Sequence, residues 1–172
     1  TYDQMAIGGT ENPEIVYGFG VNLRWKELDF GAMFQGIGRT WRILSSNIMP
    51  ASNKGSMYNI FDNYQDRWTV DNQSQDVFYP RADYGPNANN SQKSTWWLRN
   101  MSFLRLKNLE LGYSCPKKWL QGFVISNARV FVRGTNLLTF SKFNLWDPEL
   151  ATGDGAKYPA MKSVSVGFDI TF

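Results

Sequence analysis

Three carboxylates crowd one short stretch of the chain, Asp147, Glu149 and Asp154, with glycines at 153 and 155. Oxygen ligands of this kind suit calcium, but the spacing matches no EF-hand loop and Pro148 favours a plain turn, so no metal is expected there. The 172 residues include no histidine and a single cysteine, Cys115. That removes the usual zinc ligand sets, an intrachain disulfide and cysteine- or histidine-based catalysis. The remaining carboxylates fall on separate segments, and no serine has a base beside it. The residues therefore point to no enzyme and to no cofactor.

A second set of side chains could bind rather than react. Trp41, Tyr58, Phe61, Tyr64, Trp68, Tyr79, Tyr84 and Trp146 all fall in polar, turn-rich stretches. Flat aromatic faces can stack on sugar rings or pack on a lid, or they can pack those stretches against themselves, since a long loop needs a core of its own. Trp41, Tyr58, Tyr64, Trp68, Tyr84 and Trp146 are the candidate substrate contacts. The net charge of +3 is small and the lysines and arginines are scattered, which argues against nucleic acid.

The elements that hold these residues follow from alternation. Hydrophobic residues make up 42% and aromatics 16%, yet mean hydropathy is −0.40, so apolar and polar side chains are interleaved. No run is long and apolar enough for a membrane helix. Strands are expected at about residues 14–25, 28–37, 96–114, 127–135 and 161–172. In the first, Tyr17, Phe19, Val21, Leu23 and Trp25 share a face, opposite Gly18, Gly20, Asn22 and Arg24. In the last, Val164, Val166, Phe168, Ile170 and Phe172 oppose Ser163, Ser165, Gly167, Asp169 and Thr171. Leu104 and Leu106 differ in parity from Leu109, Leu111 and Tyr113, which predicts a β-bulge near Lys107-Asn108. A short helix is expected within 57–68, with Ile60, Tyr64 and Trp68 on one side, and a helical turn at Pro116–Trp119.

The connections run short, long, moderate, long, the long ones spanning about 38–95 and 136–160. One end of an up-and-down meander therefore carries turns and the other large loops, as in bacterial outer-membrane barrels. The expected class is all-β, an antiparallel transmembrane barrel with lipid-facing apolar side chains. Arg24, Asp29, Arg129, Arg133 and Asp169 would face the lumen, either lining a path or pairing across strands. A soluble carbohydrate-binding sandwich would alternate too, and a passive porin-like barrel is a third possibility. Five strands cannot close a membrane barrel, whose smallest form has about eight, so the chain is expected to be part of a larger wall. The segment Thr1–Met5 does not read as a signal peptide.

Several runs resemble one family. Asp66-Arg67-Trp68-Thr69-Val70-Asp71-Asn72 with Tyr79-Pro80-Arg81 is similar to the RWTPEN…YPR segment of SusC/RagA-type TonB-dependent transporters, with Val70 and Asp71 standing where the family usually has Pro and Glu. Ser102 to Tyr113, Gly134-Thr135-Asn136-Leu137-Leu138-Thr139, Asp147-Pro148-Glu149, Asn12-Pro13 with Tyr17-Gly18-Phe19-Gly20, and the closing strand ending in Phe172 resemble the same family in the same order. The resemblance implies the C-terminal strands of a barrel of about 22 strands around a plug, placed in the outer membrane. It implies import of glycans or peptides, a SusD-like lipoprotein partner, and TonB acting through an N-terminal box. The plug and TonB box have no counterpart in these residues. It further implies that Phe172 carries the terminal signal read by the barrel-assembly machinery.

Overall fold

The computed structural model describes residues 5–44, 48, 61–82, 87–90, 92–122 and 124–172. Two compact units emerge. The larger consists of Gly9–Trp41, Asn100–Ala151 and Lys157–Phe172; the smaller is built mainly from Arg42–Arg99.

The larger unit is an antiparallel sheet of five strands. In chain order they are β1 (Ile15–Trp25), β2 (Leu28–Gly38), β5 (Phe103–Ser114), β6 (Asn127–Ser141) and β7 (Ser163–Thr171), and they lie side by side in that same order. Two short strands, β3 (Trp41–Ile43) and β4 (Leu98–Asn100), form a separate pair. Aromatic and β-branched residues at every second position suit a pleated sheet with two unlike faces. β1 and β2 join through Lys26-Glu27, where Lys26 takes φ 55°, the positive value that tight hairpins demand.

Directly paired residues point to the same side, so the register assigns every side chain a face. One face collects Trp25, Leu28, Tyr113, Val130 and Phe168 in one row, and Leu23, Phe30, Leu111, Val132 and Val166 in the next. The register of β5 slips against both neighbours at Lys107. Lys107 is one extra residue relative to β2, where Met33 pairs with Asn108 and Phe34 with Leu106. The slip is where the change of parity requires it, and it keeps Leu104 and Leu106 on the apolar face with Leu109 and Leu111.

Three expectations need correction. β6 does not stop at residue 135 but continues to Ser141. Asn136 adopts φ 52°, and the two residues Asn136 and Leu137 oppose Lys107 alone, so the strand absorbs the irregularity and resumes with Leu138 and Phe140. The strand expected over 96–114 is broken: a 3-10 turn at Thr95–Trp97 leads into β4, and β5 starts only at Phe103. In place of a helix over 57–68, the described part is a single 3-10 turn, Asp62–Gln65; residues 57–60 lie outside the described residues. The helical turn near Pro116 is present as α1 (Lys117–Leu120).

Candidate functional site

The polar face of the sheet is organised around Arg129 on β6. Its Nε donates to Asp29 Oδ1 (3.0 Å) and its Nη2 to Asp29 Oδ2 (2.5 Å) and Glu110 Oε1 (2.6 Å), while Nη1 donates to Asp169 Oδ2 (3.2 Å). Arg133 Nε donates to the other Glu110 oxygen at 2.7 Å, and Arg24 stands opposite Asp29 in the ladder. Three cations and three carboxylates thus meet across all five strands. Asp29 lies on β2, so Arg129 must cross β5 to reach it, and it does so over Gly112. A methyl group there would lie 2.6 Å from each Asp29 oxygen and closer still to Arg129 Nη2. Phe131 sits between Arg129 and Arg133, its ring 5.0 and 5.3 Å from their guanidinium carbons, and the tip of the ring lies over Gly167, which leaves the space for it.

Arg24, Asp29, Arg129, Arg133 and Asp169, the five residues expected on the lumen side, therefore share one face. Glu110 escaped the sequence reading although it bridges the two arginines of β6. Its signal was its parity with Asn108 and Gly112, which the bulge obscured. The same face holds a trough of about 720 Å³ along β1, β2 and β5, lined by Gly18, Asn22, Arg24, Asp29, Glu110 and Arg133 among others. Two arginines and two carboxylates line it and their charges cancel, so the trough is not strongly attractive to either sign of ion.

The opposite face is bare hydrocarbon. Phe19, Leu23, Trp25, Leu111, Val132, Leu138, Phe140, Val164, Val166, Phe168 and Ile170 are all exposed, Phe168 to 72%. Phe19 and Phe34 stack across β1 and β2 at 5.1 Å. A contiguous exposed patch of this extent is foreign to a monomeric soluble protein, and a sandwich would bury it beneath a second sheet.

Two runs noted in the sequence turn out to hold each other. Arg105 on β5, only 2% exposed, pairs through Nη2 with Asp147 and through Nη1 with Glu149 Oε2 (3.0 Å), and Lys107 Nζ reaches Glu149 Oε1 at 3.3 Å. Asp147 also accepts from the Glu149 amide (3.0 Å), capping the 3-10 turn Pro148–Leu150. Asp154 Oδ1 accepts from the Ala156 amide in a local turn. Two of the three weak metal candidates are thus occupied by cationic side chains. No group of three metal-ligating residues is found among the described residues.

The candidate binding aromatics separate into different roles. In the smaller unit Tyr79 and Trp97 are each only 1% exposed. Phe78 and Tyr64 pack against Tyr79 at 4.6 and 5.7 Å, and Arg67 and Arg99 cover the rings of Tyr64 and Phe78. Burial pushes the Tyr79 phenol above its ordinary pKa and pulls that of Arg99 below. Tyr64 is therefore part of a packed core. Trp68, with Arg81 over its ring, instead lines an open cleft. In the larger unit Trp41 rests on the backbone of Gly9, and Trp146 packs edge-on against Phe143 at 4.9 Å. Tyr58 and Tyr84 lie outside the described residues. Phe172 follows the last ladder residue, Thr171, and is 81% exposed.

An antiparallel meander with one hydrocarbon face and one ion-paired face defines a class, and the comparisons with known proteins fall within one class. No family model matches the chain. A TonB-dependent receptor of Formosa agariphila is 31% identical over 99% of this chain, which covers 18% of that receptor. TonB-dependent receptor SusC of Bacteroides thetaiotaomicron is 33% identical over 46% of this chain and 8% of its own length. Among solved structures, the RagAB peptide importer in the closed-closed state matches with a TM-score of 0.75 and 34% identity over 96% of this chain and 18% of the matched chain. Its open-open state gives 0.71 and 32% over 94% of this chain and 17% of the matched chain. The class is that of TonB-dependent receptors. Within it the chain belongs with the SusC/RagA type, and it spans less than a fifth of the relatives named here.

Proposed function

We propose that these residues form part of the wall of a closed outer-membrane β-barrel that imports oligosaccharides or peptides, is energised through TonB, and works with a SusD-like surface lipoprotein. The observation that carries this reading is the continuous apolar face set against the ion-paired one. β1 and β7 are the edges of the sheet, and in hydrocarbon their outer backbone groups need partners, so both edges pair with further strands of the same barrel. The short β1–β2 turn and the β5–β6 connection lie at one end and are assigned to the periplasm. The β2–β5 and β6–β7 connections lie at the other and face outward. The importer activity and the TonB coupling are supported by the relatives, and the lipoprotein partner by the family resemblance. The plug and the TonB box are assigned to other parts of the full protein, where assembly machinery and lipid complete its surroundings.

The test is a pair of substitutions in the full-length protein refolded into lipid. Val166→Arg, near mid-strand on the apolar face, should cost about 2–4 kcal/mol. Ser165→Asp, on the other face opposite Arg133, should be close to neutral. Equal penalties would sink the assignment of faces and with it the barrel wall.

A further inference from the structure

The smaller unit carries an open cleft of about 460 Å³ lined by Trp68, Gln75, Arg81, Asn87, Asn90 and Trp96, with Pro80. That volume is within the roughly 300–1,000 Å³ of small-molecule sites. We propose that this cleft is a saccharide-binding subsite that accepts sugars bearing a carboxylate or sulfate. The inference rests on the reading of this segment as outward-facing and deepens it by naming a ligand class.

The two indoles are held in place but not consumed by the core. Trp68 N donates to Tyr79 O (3.0 Å) and Trp96 Nε1 donates to Phe78 O (3.0 Å), so both hang from the dipeptide Phe78-Tyr79, whose tyrosine is buried. Unlike their neighbours Tyr79 and Trp97, Trp68 and Trp96 remain half-exposed. Indole faces are electron-rich and attract the polarised C–H groups of a pyranose ring. A side-chain amide offers a donor and an acceptor to sugar hydroxyls, and Gln75 brings one to this cleft, whereas Asn87 Oδ1 already accepts from the Asn89 and Asn90 amides (3.0 and 3.2 Å). Arg81 is exposed, its guanidinium carbon 5.6 Å from the Trp68 ring centroid. A planar guanidinium matches carboxylate or sulfate in bidentate fashion. Among the described residues that line the cleft the one charged side chain is the Arg81 guanidinium. The backbone amide of Trp68 is already paired with Tyr79 and so is not offered to an extended chain.

The experiment uses the full-length transporter in detergent, probed with an array of neutral and uronate-bearing oligosaccharides and, separately, a pool of tryptic peptides. Wild type should bind oligosaccharides, acidic ones best. Trp68→Ala should weaken that binding about tenfold, the order expected for losing a stacking face; Trp68→Tyr should retain most of it. Arg81→Gln should weaken the acidic probes about tenfold while sparing the neutral ones. Heat-modifiable migration of the same preparations scores the barrel separately. A folded barrel that binds no oligosaccharide, or whose oligosaccharide binding survives Trp68→Ala, overturns the proposal. So does a Trp68-dependent loss confined to the peptides. If Trp68→Ala disrupts the loop, the Trp68→Tyr and Arg81→Gln pair decides the matter: without selective loss of acidic probes the subsite is rejected.

Discussion

Arg129 grips Asp29 across an intervening strand, and its guanidinium passes over a glycine of that strand to do so. The pair joins β6 to β2 over Gly112. Asp29 and Arg129 side chains are 30% and 20% exposed, so water screens the pair in part and its worth is about 1–2 kcal/mol. Gly112→Ala should displace Nη2 and so abolish the coupling between Asp29 and Arg129 while leaving that between Arg129 and Asp169, which runs through Nη1. A double-mutant cycle of Asp29→Asn with Arg129→Gln, run in wild-type and Gly112→Ala backgrounds, measures this. Equal coupling in both would show that the arginine does not need the gap.

The Arg105 latch should be the costliest ion pair to break. Its guanidinium is buried, and removing one partner of a buried pair costs about 3–5 kcal/mol because the other charges are stranded. Arg105→Met should release the segment around Asp147 and Glu149, seen as faster proteolysis between residues 142 and 160. Arg105→Lys should rescue little, since a single ammonium cannot span two carboxylates as the planar fork does. Neutralising Asp147 and Glu149 together in the Arg105→Met background should restore protection. Continued rapid cleavage there would point to lost packing rather than stranded charge.

Tyr79 predicts an alkaline limit for the smaller unit. Burial favours the neutral phenol and raises its pKa in the folded state. The unfolded chain ionises at about pH 10, so this contribution is intact below that value and is lost as pH rises from there towards the folded pKa. Cleavage of the segment 61–99 by an alkaline protease should accelerate above about pH 10. Tyr79→Phe should flatten the dependence, and an unchanged pH profile in that variant would assign the effect elsewhere.

For Phe172 the expectation concerns assembly rather than stability. The side chain is 81% exposed at the short-turn end and adds no ladder pair. Its deletion should slow insertion and lower surface levels while leaving the melting temperature of the assembled barrel unchanged. Normal surface levels would reduce it to a chain end.

Much of the sheet was legible because alternation is local: which residues of β1 and β7 share a face can be counted along the chain. The bulge was legible as well, since Leu106 and Leu109 cannot both lie on one face of a regular strand. The partners of Arg129 were not, because they depend on register with strands up to 100 residues away. Gly112 carried no sign of being a window, as a strand glycine reads the same whether it is empty or crossed. β6 was cut short because Asn136 looks like a turn former. Its positive φ is a kink within the strand, and only the pairing of Leu138 and Phe140 reveals the continuation. The sorting of Tyr64 from Trp68 was equally hidden, because both are half-buried aromatics in a polar stretch and only their packing partners separate them.

The extra residue at Lys107 also bears on how such a strand can change length over time. Removing Lys107 would close the ladder to β2 into an unbroken run, with Asn108 and Leu106 still opposite Met33 and Phe34, at the expense of the Glu149 contact. Removing a residue of β5 well away from Lys107 would turn part of the strand over and move its ionised side chains onto the apolar face. Insertions and deletions should therefore survive in this strand at one place, and related sequences of differing length should gain or lose their residue there.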